Sequence, residues 1–127
     1  MLISILKSKI HRATVTDANI DYMGSISIDG SLMEHANMLP YEKVLVVSLD
    51  SGERLETYAI EEKRGSGEIC VNGAAARRIL KGEKVIIISF VAIDPKGAAA
   101  YRPKILYVDG KNKIIKEEDH VGKDDQC

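Results

Sequence analysis

The pair Gly24-Ser25 is the part of this sequence with the most chemistry available to it. A serine hydroxyl can attack the carbonyl of the residue before it, and the chain can then be cut at that peptide bond. Glycine suits such a bond because it lacks a Cβ and tolerates strained backbone angles. Taken alone, however, the pair is typical of a turn, where Gly and Ser are both frequent.

Other polar residues of interest also have ordinary explanations when each is taken alone. Lys9 and His11 fit the solvated face of a strand in which polar and apolar residues alternate. The pair Thr57-Tyr58 fits strand propensity, and Asn72-Gly73 is a common turn pair. Composition and spacing alone therefore predict a small soluble β-protein of unspecified use.

The elements that must position these residues are mostly β-strands. Strand-like runs cover 2–6, 11–16, 43–49, 53–60, 68–71, 84–93, 103–108 and 113–116. The form Ser31-x-x-Glu34 predicts a capping box at the start of one short helix, whose apolar side includes Leu39 and which Pro40 stops. Residues 72–78 are predicted to turn into a brief helix. Short strands at this spacing predict a small closed barrel.

The composition indicates a single globular domain. The chain has 127 residues, of which 45% are hydrophobic and 29% are charged. No apolar run reaches the ~18 residues expected of a membrane span. The N-terminus lacks the order of a signal peptide, so we expect a cytoplasmic protein without a membrane partner.

The formal charge of −1 is unevenly distributed. Residues 117–127 hold five acidic residues against Lys123 and carry −4, which leaves +3 on residues 1–116. We therefore predict one domain over 1–116 and an acidic, disordered tail over 117–127. The domain is too weakly basic for a nucleic-acid partner, whereas a mild positive charge suits a small acidic substrate.

The sequence predicts no metal site. Cys70 lies in an apolar run and is expected to be a buried thiol, whereas Cys127 is the last residue. The spacing of these cysteines, and of His35 and His120, matches no metal-binding pattern. We expect both histidines to be solvated.

Taken together, the motifs resemble those of the pyruvoyl-dependent aspartate 1-decarboxylase family. The resemblance runs from the N-terminus to about Tyr107, and several motifs in the right order are far more specific than any one of them. It rests on Lys9-Ile10-His11-Arg12, Tyr22-Met23-Gly24-Ser25, Thr57-Tyr58-Ala59-Ile60, Arg64-Gly65-Ser66, Val71-Asn72-Gly73-Ala74-Ala75-Ala76 and the strand that ends at Ser89-Phe90. The acidic segment beyond Lys116 has no clear counterpart in the family pattern.

The resemblance implies both a fold and an activity. The fold is a double-psi β-barrel with short helices, assembled as a homotetramer with active sites between protomers. The activity is decarboxylation of L-aspartate to β-alanine and CO₂ for pantothenate and coenzyme A synthesis. The chain is implied to be a zymogen that cuts itself between Gly24 and Ser25 and converts Ser25 into a pyruvoyl group. That ketone forms a Schiff base with the substrate amine, so neither PLP nor a metal is needed.

Residue roles also follow from the resemblance. Ser25 is the pyruvoyl precursor, Tyr58 donates the proton to the substrate Cα, and Thr57 is the leading donor to the oxyanion formed in self-cleavage. Substrate binding is implied for Lys9, Arg54, Thr57, Asn72, Gly73, Ala74 and Ala75. Self-processing is implied for Gly24, Ser25, Thr57, His11 and Tyr22. Which of the two cations, Lys9 or Arg54, binds which substrate carboxylate stays open.

Two other classes of protein remain as alternatives. A non-catalytic barrel used as a binding module would have no reason to keep Lys9, Ser25, Arg54, Thr57 and Tyr58 together. A nucleic-acid-binding barrel would need aromatic stacking platforms, whereas this chain has a single Phe and no Trp.

Overall fold

The computed structural model describes residues 1–122 as a mainly β fold built on one mixed sheet. Its strands in chain order are β1 (Ile3–Thr14), β2 (Asp17–Asn19), β3 (Ser25–Asp29), β4 (Lys43–Ser48), β5 (Arg54–Glu62), β6 (Ile69–Asn72), β7 (Lys84–Ile93), β8 (Lys104–Val108) and β9 (Ile114–Glu118). The helices are α1 (Gly30–His35), a 3₁₀ helix at Gly73–Arg77 and α2 (Pro95–Ala98). The prediction of a mainly β protein with short helices is confirmed.

The strands follow the order β2-β6-β3-β5-β4-β7-β1-β8-β9 across the sheet. Strand β3 is parallel to β5 and β1 is parallel to β8, whereas β7 is antiparallel to both β1 and β4. Strand pairing alone leaves this sheet open. Hydrogen bonds of 2.8 Å from Thr16 N to Ile69 O and of 2.9 Å from Ile69 N to Thr16 Oγ1 join the end of β1 to the start of β6. The six strands from β6 to β1 therefore curl back on themselves in a barrel-like arrangement.

Strand β1 differs from its prediction. The sequence predicts separate runs at 2–6 and 11–16, but the structure joins them in one strand of 12 residues. Lys7, which interrupts the apolar pattern, is half-buried, and its Nζ lies 2.6 Å from Glu42 Oε1. The ion pair lets the strand continue through a charged position. Register shifts bend the strand, and Arg12, with φ of 64°, lies in the second of them.

Helix α1 begins and ends differently from its prediction. The predicted capping box requires Ser31 as N-cap, but the N-cap is Asp29, whose Oδ1 accepts the Ser31 N–H at 2.8 Å. The helix ends because Asn37 adopts a left-handed conformation with φ of 58° and donates to the Glu34 carbonyl. Leu39 therefore lies outside the helix and is mostly exposed, so its placement on the apolar side of α1 was wrong.

Strand β9 extends two residues beyond the boundary predicted at 116. Both Glu117 and Glu118 pair with residues of β8, so the start of the predicted acidic tail belongs to the sheet. A hydrogen bond from Lys104, whose Nζ lies 3.1 Å from Glu117 Oε1, lowers the pKa of Glu117 below its ordinary value. Residues 123–127, including Cys127, lie outside the described residues.

The core lies within the curled sheet and consists of aliphatic side chains from nearly every strand. Each fully buried Ile, Leu or Val contributes about 1.5–3 kcal/mol relative to an exposed one. The largest buried side chains are Ile10, Ile26, Ile28, Leu32, Ile69, Ile79, Ile87, Ile105, Leu106, Val15, Val44 and Val46. None of the helices within residues 1–122 has the length and apolarity needed to cross a bilayer.

Candidate active site

Ser25 is the first residue of β3 and is buried, although Gly24 before it is exposed. It pairs with Asn72 of β6 in antiparallel register. Asn72 Nδ2 donates to Ser25 Oγ and to Ser27 Oγ, both at 3.0 Å, while its Oδ1 accepts from Cys70 Sγ at 3.1 Å. The carboxamide of Asn72 therefore holds the Ser25 hydroxyl at a defined place in the sheet.

The Cys70 thiol is buried, as predicted. Burial raises its pKa, and the nearby carboxylates of Asp17 and Glu68 raise it further. A thiol with a raised pKa stays protonated at neutral pH and is a poor nucleophile. Cys70 therefore serves as a hydrogen-bond donor that orients Asn72.

The peptide segment before Ser25 lies directly against Gly73. A Cβ at position 73 would lie 2.6 Å from Gly24 N, 2.7 Å from Gly24 Cα and 3.0 Å from the Tyr22 carbonyl oxygen. Gly73 also has φ of 73°, so both its backbone conformation and this close approach require glycine. Ser25 Oγ donates to the Met23 carbonyl at 3.3 Å, which turns the hydroxyl back toward the segment that precedes it.

An open depression of about 490 Å³ adjoins Gly24. It is lined by Gly24, Leu55, Glu56, Thr57, Tyr58, Ala74, Ala75 and Arg78. The parallel ladder between β3 and β5 begins at the pair Ile26–Ala59, so Ser25, at the start of β3, lies level with Tyr58 in the middle of β5. The depression therefore brings together five of the residues singled out from the sequence, namely Gly24, Thr57, Tyr58, Ala74 and Ala75.

A second depression, of about 400 Å³, shares Glu56 with the first and is otherwise lined by Ser4, Lys43, Val44, Leu45 and Phe90. It contains none of the site residues predicted from the sequence. Two of its lining residues form an ion pair, with Lys43 Nζ 2.8 Å from Glu56 Oε2, so their opposite charges are paired. We therefore assign the candidate site to the depression beside Gly24.

Several predicted residues are not gathered at this depression. Lys9 and His11 lie on β1, which is the third strand from β5 in the sheet order. The His11 ring instead meets the Tyr107 ring edge-on, with 5.5 Å between centroids. Arg54, the exposed first residue of β5, alternates with Glu56 and Tyr58 and so shares their side of the strand.

Tyr22 is present at the site through its backbone. Its carbonyl oxygen approaches Gly73, whereas its side chain is 61% exposed. The side chain of Met23, which follows it, is also exposed, at 82%. The segment that carries the Gly24 carbonyl is therefore accessible to solvent up to the point where Ser25 enters the sheet.

A buried carboxylate, Asp29, holds the other end of β3. Its Oδ1 accepts the N–H of Gly65 at 2.9 Å and the hydroxyl of Ser31 at 2.7 Å, and its Oδ2 accepts the N–H of Gly67 at 2.8 Å. Burial raises the pKa of Asp29, but these hydrogen bonds together outweigh it and hold the pKa below its ordinary value. The ionised side chain therefore ties β3, α1 and the loop before β6 together.

Three residues that line the depression were not predicted from the sequence, namely Leu55, Glu56 and Arg78. The sequence could have predicted Glu56 as a lining residue, because it alternates along β5 with Arg54 and Tyr58 and so lies on the same side of the strand. Arg78 had no such signal, because it follows the 3₁₀ helix and looks like a solvated charge. Its guanidinium lies 3.4 Å from Glu53 Oε2.

The histidines predicted to be solvated have exposed side chains. His35 Nδ1 lies 3.3 Å from Glu117 Oε1, and His120 Nδ1 lies 3.2 Å from Asp119 Oδ1. In the part of the chain that the structure describes, no three His, Cys, Asp or Glu side chains are grouped so that they could hold a metal ion.

Comparison with known proteins identifies a family that matches nearly the whole chain. The aspartate decarboxylase family model matches residues 1–115. An aspartate 1-decarboxylase of Pelotomaculum thermopropionicum is 57% identical over 115 residues, which are 91% of this chain and 87% of the relative. Proteins of the same name from Caldicellulosiruptor saccharolyticus (54% identical; 94% of this chain, 96% of the relative) and Dehalococcoides mccartyi (56%; 92% and 94%) are similarly close.

Proposed function

This chain belongs to the aspartate decarboxylase family, and from that premise we propose that it converts L-aspartate to β-alanine and CO₂ for pantothenate and coenzyme A synthesis. Such a carboxy-lyase must stabilise the negative charge that develops at Cα as the carboxylate leaves. The observation that carries the proposal is the buried Ser25, held by Asn72, at the point where Gly24 lies against Gly73.

We propose that the electron sink is a pyruvoyl group made from Ser25. Such a group supplies a ketone that takes up the substrate amine and withdraws electrons from Cα. The residues present fit it. Asn72 supplies an amide donor next to residue 25, and Gly73 lets the Gly24 backbone lie where a side chain would clash.

Self-cleavage begins when Ser25 Oγ attacks the Gly24 carbonyl carbon, so that the amide between the two residues becomes an ester. Elimination at residue 25 then transfers its Cα proton to a base and breaks its Cβ–Oγ bond, which releases the Gly24 carboxylate and leaves dehydroalanine. Hydrolysis of dehydroalanine gives the ketone and ammonia. Thr57 is our candidate donor to the oxyanion, a role supported by its place beside Gly24 in the depression.

Substrate handling falls to the remaining residues. Tyr58, in the depression, protonates Cα after CO₂ has left. Arg54 and Lys9 bind the two carboxylates of L-aspartate, the first through its planar fork and the second as a point charge. Lys9 lies on β1 and does not line the depression of its own chain, which supports a site shared between protomers of a homotetramer.

The test of self-processing is the mass of the denatured, purified protein. We expect fragments of 24 and 103 residues in the wild type and one intact chain, without decarboxylase activity, in Ser25→Ala. Ser27→Ala is the matched control, because Ser27 is buried and also accepts from Asn72 at 3.0 Å. It should still be cut. Wild-type turnover by an uncut Ser25→Ala chain would contradict the pyruvoyl proposal.

The test of the reaction is the formation of β-alanine from L-aspartate by the matured protein, followed by NMR. Restored growth of a β-alanine-requiring bacterium that expresses the chain would support the place in pantothenate synthesis. A matured protein that releases no CO₂ from L-aspartate would contradict the proposed function.

A further inference from the structure

Tyr41 occupies a turn position that ordinarily takes glycine or asparagine. Pro40 is the second residue of this turn and Tyr41, with φ of 70°, is the third, while the Glu42 N–H donates to the Leu39 carbonyl at 3.1 Å. This is the pattern of a type II turn, whose third residue needs a positive φ. A bulky side chain in that conformation is strained, and such strain persists only where the surroundings hold it.

Burial does not explain why a tyrosine stands there, because its side chain is 77% exposed. The turn is nevertheless held firmly against β5. The Tyr41 N–H donates to the Ala59 carbonyl at 2.7 Å, and the Ala59 N–H donates to the Glu42 carbonyl at 2.9 Å. These bonds place Tyr41 beside the residues at which β5 lines the depression.

The side chain of Tyr41 meets the ring of Tyr58. The ring centroids are 6.5 Å apart, and the ring planes are inclined by 43°. This distance lies within the range over which aromatic rings attract each other. Tyr58 lines an open depression, so a neighbouring ring limits the rotamers that it can adopt.

We propose that Tyr41 is a positioning residue that holds the ring of Tyr58 in place for proton transfer. The inference rests on the proposed function, in which Tyr58 protonates Cα. A proton donor must be held within hydrogen-bond reach of the atom that it protonates, and small misplacements lower the rate. The contact with the Tyr58 ring accounts for a tyrosine at this exposed, strained turn position.

The test compares the kinetics of matured Tyr41→Gly, Tyr41→Phe and Asn37→Gly proteins, with rates normalised to the cleaved fraction. We expect Tyr41→Gly to lower kcat about three- to tenfold, the size that one aromatic contact accounts for, with KM unchanged. Its Tm should equal or exceed that of the wild type, because glycine removes the strain. Tyr41→Phe should keep kcat, because it keeps the ring. Asn37→Gly, at a left-handed position in another turn, should also keep it.

A wild-type kcat in Tyr41→Gly would overturn the inference. A higher KM at constant kcat would also overturn it, since it would indicate a substrate contact, and so would an equal loss in Tyr41→Phe, since it would assign the effect to the hydroxyl.

NMR of the Tyr58 ring gives a readout that does not depend on turnover. We expect Tyr41→Gly to average the side-chain couplings of Tyr58, whereas Asn37→Gly should leave them as in the wild type. Unchanged Tyr58 couplings in Tyr41→Gly would overturn the inference even if the protein decarboxylated no aspartate, which separates this outcome from failure of the proposed function.

Discussion

At the scale of single residues, the site depends as much on a missing side chain as on the reactive ones. Asn72, expected from the sequence to bind substrate, donates to Ser25 Oγ in the uncut chain. Gly73, next to it, allows the Gly24 backbone to approach to a distance that no Cβ permits. The neighbours of Ser25 therefore fix the position of the bond proposed to be cut.

Gly73→Ala should impair both folding and self-cleavage. The added Cβ must displace Gly24, and alanine is strained at φ of 73°, so we expect a loss of about 2–3 kcal/mol of stability. We also expect cleavage to slow at least about tenfold, because the reacting carbonyl is moved out of position. Denaturing mass spectrometry over time and thermal unfolding measure the two effects.

The matched control is Gly52→Ala, at φ of 77° with no atom within 4 Å of the added Cβ. It has the same conformational strain without the clash, so it should lose about 1 kcal/mol and cleave at the wild-type rate. Equal cleavage rates in the two variants would show that contact with Gly24 is irrelevant to processing.

At the scale of elements, strand β3 is held at both ends by side chains from other parts of the chain. Asn72 of β6 binds its first residue, Ser25, and the loop before β6 donates two N–H groups to its last residue, Asp29. Helix α1 begins at the same carboxylate, which is why the capping box predicted at Ser31 does not form. One ionised side chain thus sets the geometry of three elements.

Asp29→Asn should lose about 1–3 kcal/mol of stability at pH 7, because the amide NH₂ cannot accept the N–H that Asp29 Oδ2 now binds. The pKa of Asp29 is lowered on folding, so its carboxylate stabilises the fold above the ordinary Asp pKa. That contribution is lost as pH falls through the lower folded pKa. The difference in the free energy of unfolding between wild type and Asp29→Asn should therefore narrow below about pH 4.

Thermal unfolding at pH 7 and pH 3.5 measures this difference in stability. Both proteins carry Ser25→Ala, so that the chain stays uncut, and are compared at equal concentration. Asp94→Asn is the control, because the exposed N-cap of α2 accepts a single N–H, from Lys96. Asp94→Asn should lose less stability at pH 7 than Asp29→Asn. An Asp29→Asn protein as stable as the wild type at pH 7 would refute the anchoring role.

At the scale of the whole molecule, one chain does not complete the predicted site. Gly24, Thr57 and Tyr58 meet at the depression, whereas Lys9 and His11 are carried by β1, three strands from β5. The proposal assigns one carboxylate of the substrate to Lys9, so the depression of a single chain lacks a cation that the proposed site uses. This separation is the observation that supports shared sites in a homotetramer.

Co-expression of Lys9→Ala with Tyr58→Phe should restore activity that neither variant has alone, up to about a quarter of the wild-type value for random mixing. A mixed interface can take Lys9 from one protomer and Tyr58 from its neighbour. Ser25→Ala with Tyr58→Phe is the control pair, because both residues adjoin the same depression of one chain and no mixed site is complete. Absence of restored activity in the first pair would argue for a site within one chain.

The predictions that succeeded rest on local patterns. The span of β7 agrees residue for residue with the apolar run at 84–93, because β-branched residues favour strands wherever they are placed. The order of motifs around Gly24-Ser25 and Asn72-Gly73 was likewise sufficient to identify the family, and family matching over residues 1–115 confirms it.

What failed depends on contacts distant in sequence. Asp29 replaces Ser31 as the N-cap because Gly65 and Gly67 bring donors to it, and β1 passes through Lys7 because Glu42 pairs with it. No window of neighbouring residues contains these partners. Local motifs thus singled out the candidate site residues through the family resemblance, and strand patterns predicted the mainly β class. Packing of distant strands decided which residues meet: it brings Ser25 to Asn72 and Tyr58 to Tyr41, and it leaves Lys9 out of the lining of the depression.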